Sequence, residues 1–292
     1  MLQVAWTTTL ANNLDAHWID GSAELSNVVD ASTTALLSNG FALLRGISDS
    51  KDAKAIAARL TALSERLGTI VPQSPRGELV EDVRDFSDVD AEDKRGYRSR
   101  GALTPHSDPP TLIVLHCLQP ARSGGESYFV NVRSIHDRIE AMNPALLAEL
   151  YRENFPIWRV EGAHGIAEAG PYERRRPIFC MHDGRVSCIY YRPFIELAAN
   201  VLGTPMTAQQ QAALDAFDAC STADDLAWRV TLQAGETAIL HNRCVLHART
   251  DYEDWPEQDK RRHLLRLWID APERFPVDSR HELGDMFSPV SW

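Results

Sequence analysis

Short strand-like runs recur through this chain without taking turns with helices, and that irregular order constrains the fold more than any other feature. Phe41–Gly46 follows the helix stop Asn39-Gly40 and reads as a buried strand; TLIVLHCL at 111–118, SYFV at 127–130, WRVTL at 228–232, TAIL at 237–240 and LLRLWI at 264–269 follow. The strongest local signal is Pro177–Tyr191, two strand-like arms around the turn Asp183-Gly184. Helical spacing covers Ser32–Leu37, Lys51–Leu67 with Ser50 as its expected cap, a stretch opened by Ser134 and broken at Asn143-Pro144, and Thr207–Cys220. Neither GxGxxG nor GxxxxGK[ST] occurs, so a doubly wound sheet does not fit. The expectation is an α+β protein, a β-sandwich or barrel with helical buttresses.

The chain has 292 residues, no internal repeat and no long polar linker, which predicts one domain over 1–292. One segment changes character. Arg76–Leu103 is crowded with acidic and basic residues and has little apolar periodicity, so it reads as a long loop, with 85–103 as an active-site loop or lid. A net charge of −11 repels phosphate backbones and argues against nucleic acid as a partner. The five cysteines show no CxxC spacing and read as reduced structural thiols. No basic leader precedes a long apolar stretch, and no apolar run reaches the roughly 18 residues of a membrane span. A soluble cytoplasmic protein without a membrane partner is expected, with a homo-oligomer left open.

Among the ten histidines, His17, His136, His164 and His281 lie in polar or helical contexts and read as solvated surface residues. His106 differs. In Thr104-Pro105-His106-Ser107-Asp108-Pro109 an extended backbone turns His106 and Asp108 to one side, because strand side chains alternate with period two. Two such ligands and a distant histidine form the 2-His-1-carboxylate triad, which leaves coordination positions open and suits non-haem Fe(II). An HxD triplet alone is a common chance pattern. For the third ligand a late strand offers His241 and His247, and His247 is the choice because Arg262 and Arg266 follow it, four residues apart on one strand face where an anion is readily clamped. The plainer alternative makes both histidines satisfied core residues and the arginines a solvated edge paired with Asp251, Glu253 or Asp254.

Four blocks, NGFALLRG at 39–46, LTPHSDPPTLIVLHCLQPARSGGESYFVN at 103–131, LHNRCVLHART at 240–250 and KRRHLLRLW at 260–268, together resemble the taurine dioxygenase-like and γ-butyrobetaine hydroxylase-like Fe(II)/2-oxoglutarate oxygenases. The resemblance implies a double-stranded β-helix, or jelly roll. It also implies iron ligands His106, Asp108 and His247, with Arg262 and Ser127 on the distal carboxylate of 2-oxoglutarate and Arg266 on co-substrate or substrate. Asp108 stands where related halogenases have Ala or Gly, which implies C–H oxidation instead. The Asp254–Glu257 stretch lengthens the link between His247 and Arg262 relative to some members.

The implied reaction uses Fe(II), 2-oxoglutarate and O2, releases succinate and CO2, and oxidises a C–H bond of a small molecule. Hydroxylation of an amino acid, amine or carboxylate-bearing metabolite leads, followed by desaturation or ring formation. Outside the family, a metal-dependent jelly-roll hydrolase or isomerase would use the same three ligands without needing Ser127 or Arg262, and a non-catalytic binding module would need none of them. Substrate walls are expected at Arg100, Leu103, Tyr191 and Arg192; Tyr190 reads as barrel packing.

Overall fold

A computed structural model describes residues 18–50, 52–73, 77–87, 96–159 and 170–282. The first third holds β1 (Trp18–Asp20), α1 (Leu25–Asn39), β2 (Phe41–Arg45), α2 (Ala53–Leu67), β3 (Thr69–Val71), β4 (Val80–Val83) and β5 (Leu103–His106). Then come β6 (Leu112–Gln119), β7 (Ser123–Gly124), β8 (Ser127–Asn131), α3 (Val132–Met142), α4 (Pro144–Leu150), β9 (Phe155–Arg159) and β10 (Gly170–Arg176). The hairpin β11 (Phe179–His182) and β12 (Arg185–Cys188) leads to α5 (Arg192–Val201), α6 (Ala208–Ser221) and β13 (Ala227–Val230). The chain closes with β14 (Thr237–His241), β15 (Val245–Arg249), β16 (Tyr252–Glu253) and β17 (His263–Asp270).

Two sheets do most of the work. Among the described residues the larger runs β1-β2-β14-β6-β17-β3, with β4 also on β17, and the smaller runs β13-β8-β15-β5. Their strands alternate as period two requires. Phe41 and Leu43 of β2, Ala238 and Leu240 of β14, and Leu264 and Trp268 of β17 meet Phe129 of β8 and Val245 of β15 in one buried cluster between the sheets. The opposite faces are buried too. Ala42, Leu44, Ile239, Leu265 and Leu267 pack under α1 and α2, while Val130 and Leu246 pack under α3, α4 and α6. The arrangement is helices, sheet, sheet, helices, an α+β architecture.

Local chemistry explains most boundaries. Gly40 ends α1 at φ 79° with its N–H on Leu36 O, and Asp183 (φ 48°) and Gly184 (φ 77°) make the expected left-handed hairpin turn. Thr207 and Gln210 close a reciprocal capping box on α6. Other expectations need correction. Asp52, not Ser50, caps α2, because its carboxylate reaches the free N–H groups of Lys54 and Ala55. Asn131 caps α3 ahead of Ser134. The charged segment 76–103 is not all loop: β4 pairs with β17, its inward Glu81 meeting the Tyr97 hydroxyl at 3.1 Å and Arg98 at 3.7 Å.

Two histidines expected at the surface are buried, whereas His17 and His164 lie outside the described residues. His136 packs edge-on against Tyr151 and Phe179. His281 donates from Nε2 to Pro177 O, and its Nδ1 lies 2.9 Å from Ser187 Oγ. All five cysteines are buried free thiols.

Burial pushes His281 down to about 3 and, with Arg243 close by, does the same to His241. Both rings take up a proton near 6.5 once unfolded, so below that pH the unfolded state binds more protons and stability falls as pH drops toward 3. The two together are expected to remove about 2.7 kcal/mol per pH unit below pH 6. Urea midpoints at pH 7, 6 and 5 check this, and equal midpoints would contradict it. A second expectation concerns Gly124, at φ 71°, where a Cβ would meet the carbonyl oxygen of Asp251. Gly124→Ala should cost about 2–4 kcal/mol, and Gly203→Ala, at φ 62° in open space, about 1 kcal/mol; chemical denaturation compares the two.

Candidate active site

Three potential ligands converge where β15 pairs with β5. His247 lies opposite His106 in the ladder, with ring centroids 4.2 Å apart. Asp108 follows two residues after His106 and returns to the same side, while Ser107 turns away to bond the Tyr190 backbone through both its N–H and its hydroxyl. His106 Nε2 is 3.8 Å from Asp108 Oδ1, His247 Nε2 is 3.9 Å from Asp108 Oδ2, and all three ligand atoms lie within 4.8 Å of one another. The alternative ligand, His241, is buried elsewhere against Phe275.

The protonation states suit a metal. His106 Nδ1 is 2.8 Å from the Thr104 carbonyl, which only accepts, so Nδ1 carries a proton and Nε2 is the ring nitrogen turned toward Asp108. Burial first, then neighbouring His106 and Arg266, pushes His247 down to about 3 despite Asp108, leaving a neutral imidazole. Burial alone would raise Asp108. The Arg266 guanidinium, with the Trp268 indole N–H 3.2 Å from Oδ2, favours the ionised carboxylate, which is held below its ordinary range.

Arg243 holds the Asp108 turn from behind. Fully buried, its guanidinium donates to the carbonyls of Asp108 and His281, both at 2.9 Å, and of Pro109. Arg266 is fixed from the other side: it donates from Nε to Gln73 Oε1 at 2.7 Å, stacks 4.3 Å from the Tyr97 ring, and reaches Asp108 Oδ2 at 3.4 Å.

A second polar pocket borders the trio. Arg262, Arg249, Ser127 and Tyr252 are all buried, and Gly125 lets the Arg262 side chain pass close to its backbone. Burial lowers both arginines and takes Arg249, beside Arg262, down to about 10, so both stay charged at neutral pH. Arg262 and Arg266 therefore do not form a solvated edge; Asp254 accepts only the backbone N–H of Arg262, at 2.7 Å. Arg262 Nη1, Arg249 Nε and Nη1, Tyr252 Oη and His247 Nδ1 are buried without hydrogen-bond partners among the described residues. Such orphaned donors around two cations fit a carboxylate, and two histidines with an ionised aspartate fit Fe(II).

The expected substrate walls divide. Tyr191 lies against the trio, its ring centroid 5.4 Å from that of His106, and Leu103 pairs with Arg249. Arg100 is half exposed and binds Asp85 at 2.8 Å. Arg192 is not brought to the trio: Glu196, Asp215 and Asp218 take its guanidinium at 2.7–2.8 Å. Tyr190 packs in the core on Phe217, with its hydroxyl on Asp218. Residues 88–95 of the expected lid lie outside the described residues. Sequence reasoning overlooked Arg249 and Trp268, although each stands two positions after a chosen residue and so on the same strand face; Gln73 and Arg243 gave no comparable signal.

Comparison with known proteins agrees with this geometry. The family model "Taurine catabolism dioxygenase TauD, TfdA family" matches residues 7–268. FR-33289 synthase of Streptomyces rubellomurinus is 30% identical over 254 residues, 84% of this chain and 74% of the relative. Asparagine oxygenase solved with Fe(II), 2S,3S-3-hydroxyasparagine and succinate superposes at TM-score 0.60 and 20% identity, covering 90% of this chain and 88% of that one. The non-heme iron oxygenase OrfP, solved with Fe and alpha-ketoglutaric acid, superposes at TM-score 0.61 and 16% identity over 88% and 84% of the two chains. Another OrfP structure holds (3S)-hydroxy-L-Arg with Fe and succinate. At these identities the two structures establish a shared fold. With the family model spanning most of its length and a relative at 30% identity, the chain belongs to the taurine catabolism dioxygenase TauD, TfdA family and is an Fe(II)/2-oxoglutarate-dependent oxygenase.

Proposed function

We propose that this enzyme oxidises an unactivated C–H bond of a small carboxylate-bearing molecule, an amino acid or close derivative, by hydroxylation, on a double-stranded β-helix formed by the two facing sheets. The observation that carries the reading is the juxtaposition of a His-Asp-His trio with two buried arginines, some of whose donors lack partners. His106, Asp108 and His247 hold Fe(II); Arg262 and Ser127 hold the distal carboxylate of 2-oxoglutarate. Bound Fe(II) with 2-oxoglutarate and O2 supplies the oxidising power, and succinate and CO2 are the co-products.

The chain's own groups set position. The Arg243 hydrogen bonds fix the backbone of Asp108, and Trp268 Nε1 and Arg266 Nη1 orient its Oδ2. Tyr191 walls the open side of His106, and Arg266 offers a cation to an anionic substrate group. An amino-acid substrate is supported by the hydroxylated asparagine and arginine in the asparagine oxygenase and OrfP structures. Placement matters because a displacement of about 1 Å costs roughly 10²-fold in rate.

Succinate release, screened across amino acids and their derivatives under Fe(II), is expected to rise with a carboxylate-bearing amine; stimulation only by substrates without a carboxylate would overturn the substrate class. His247→Ala is expected to abolish Fe(II)-dependent turnover while circular dichroism and the thermal midpoint stay near the parent values. Retained activity would remove His247 from the ligand set. Arg262→Leu is expected to raise the 2-oxoglutarate concentration needed for half-maximal turnover about 10- to 100-fold, the loss of one charge-assisted contact. An unchanged requirement would move that role to Arg266.

A further inference from the structure

Arg249 divides its guanidinium between two regions. It stands two residues after His247 on β15, so strand alternation turns both side chains toward the interior. Nη2 donates to the carbonyls of Ser99, at 2.9 Å, and Gly101, in the segment that leads into β5. Nε and Nη1 are buried and have no hydrogen-bond partner among the described residues, and Nη1 is the terminal nitrogen left free by the two carbonyl bonds. The residue is 5% exposed, so water does not supply the missing bonds freely.

Its surroundings identify what those nitrogens face. Arg249 is paired with Ser127 across β15 and β8, and its Cζ lies 4.9 Å from the Tyr252 ring centroid. The Cζ of Arg262 lies 5.0 Å from the same centroid, and Arg262 Nη1 is likewise buried and unpartnered. Two buried guanidinium groups thus share one aromatic ring, and Ser127 stands opposite one of them. Of the nearby carboxylates, Asp85 binds Arg100 Nε at 2.8 Å, and Asp254 accepts the backbone N–H of Arg262 on Oδ1 while its Oδ2 is buried without a hydrogen-bond partner among the described residues. Adjacent cations with orphaned donors are relieved by an anion that accepts from both.

We propose that Arg249 is the second arginine on the distal carboxylate of 2-oxoglutarate, and that through Ser99 and Gly101 it links co-substrate binding to the order of residues 96–103. This rests on the reading that the distal carboxylate sits at Arg262 and Ser127. An anion on Nη1 fixes the guanidinium plane, and the fixed plane presents Nη2 to the two loop carbonyls. The segment carries Tyr97, which covers Arg266, so its order shapes the wall beside the trio. Linkage is reciprocal: whatever orders 96–103 tightens co-substrate binding by the same factor.

The test compares the Fe(II)-loaded parent, Arg249→Gln and Arg249→Lys under anaerobic conditions, reading 2-oxoglutarate affinity by calorimetry and amide hydrogen exchange over 96–103 with and without 2-oxoglutarate. The parent is expected to bind and to slow exchange at 99–103. Arg249→Gln is expected to bind about 10- to 100-fold more weakly and to lose the ligand-dependent slowing. Arg249→Lys keeps the charge but has no fork to span carboxylate and carbonyls, so the slowing should be lost there too. Should Arg249→Gln not fold by circular dichroism, the lysine variant decides on the same criteria. Affinity within about twofold of the parent, or undiminished slowing, in a folded variant overturns this role of Arg249. A parent that binds no 2-oxoglutarate overturns the underlying reading of the pocket instead.

Discussion

The site depends on the register of one strand. β15 is buried along its whole length and pairs on both sides, with β5 and with β8. That register sets His247 opposite His106 and Arg249 opposite Ser127, so one strand contributes to both the His-Asp-His trio and the arginine cluster. Slippage by a single residue would turn both side chains outward and replace them with Leu246 and Ala248, which now pack on the other face. The helices α3, α4 and α6 that bury that other face therefore act on the chemistry indirectly, by holding the register.

A polar interior of this kind needs its own support. The inner face carries Ser127, His247, Arg249 and Arg266 among Phe129, Val245, Leu264 and Trp268, and unpaired polar groups there are costly. Backbone carbonyls and neutral partners supply much of the compensation: three carbonyls for Arg243, two for Arg249, and Gln73 for Arg266. Among the atoms left without a partner are Arg249 Nε and Nη1, Arg262 Nη1 and His247 Nδ1.

Much of this was legible in the sequence because the relevant elements are locally consistent. The apolar runs of β6, β14 and β17, the Asp183-Gly184 turn and the Thr207 cap each carry their own signal, and period two anticipates that His106 and Asp108 meet. Other parts were hidden by residue type. β4 was lost among charges because its inward face includes Glu81, whose partners Tyr97 and Arg98 come from a distant turn. His281 and His136 looked like surface residues because a buried histidine satisfied by backbone or aromatic neighbours has no local pattern. Arg192 looked available until α6 supplied its carboxylates. Arg243 and Gln73 act through tertiary contacts alone.

The account turns on His106, Asp108 and His247 holding a metal that 2-oxoglutarate reaches from the Arg262 side. The most direct measurement is an anaerobic titration of the metal-free protein with Fe(II) and 2-oxoglutarate, following the visible metal-to-ligand charge-transfer absorption of the chelate. The account predicts that the band forms in the parent and fails to form in His106→Ala. Iron that binds to the parent without the band would contradict it.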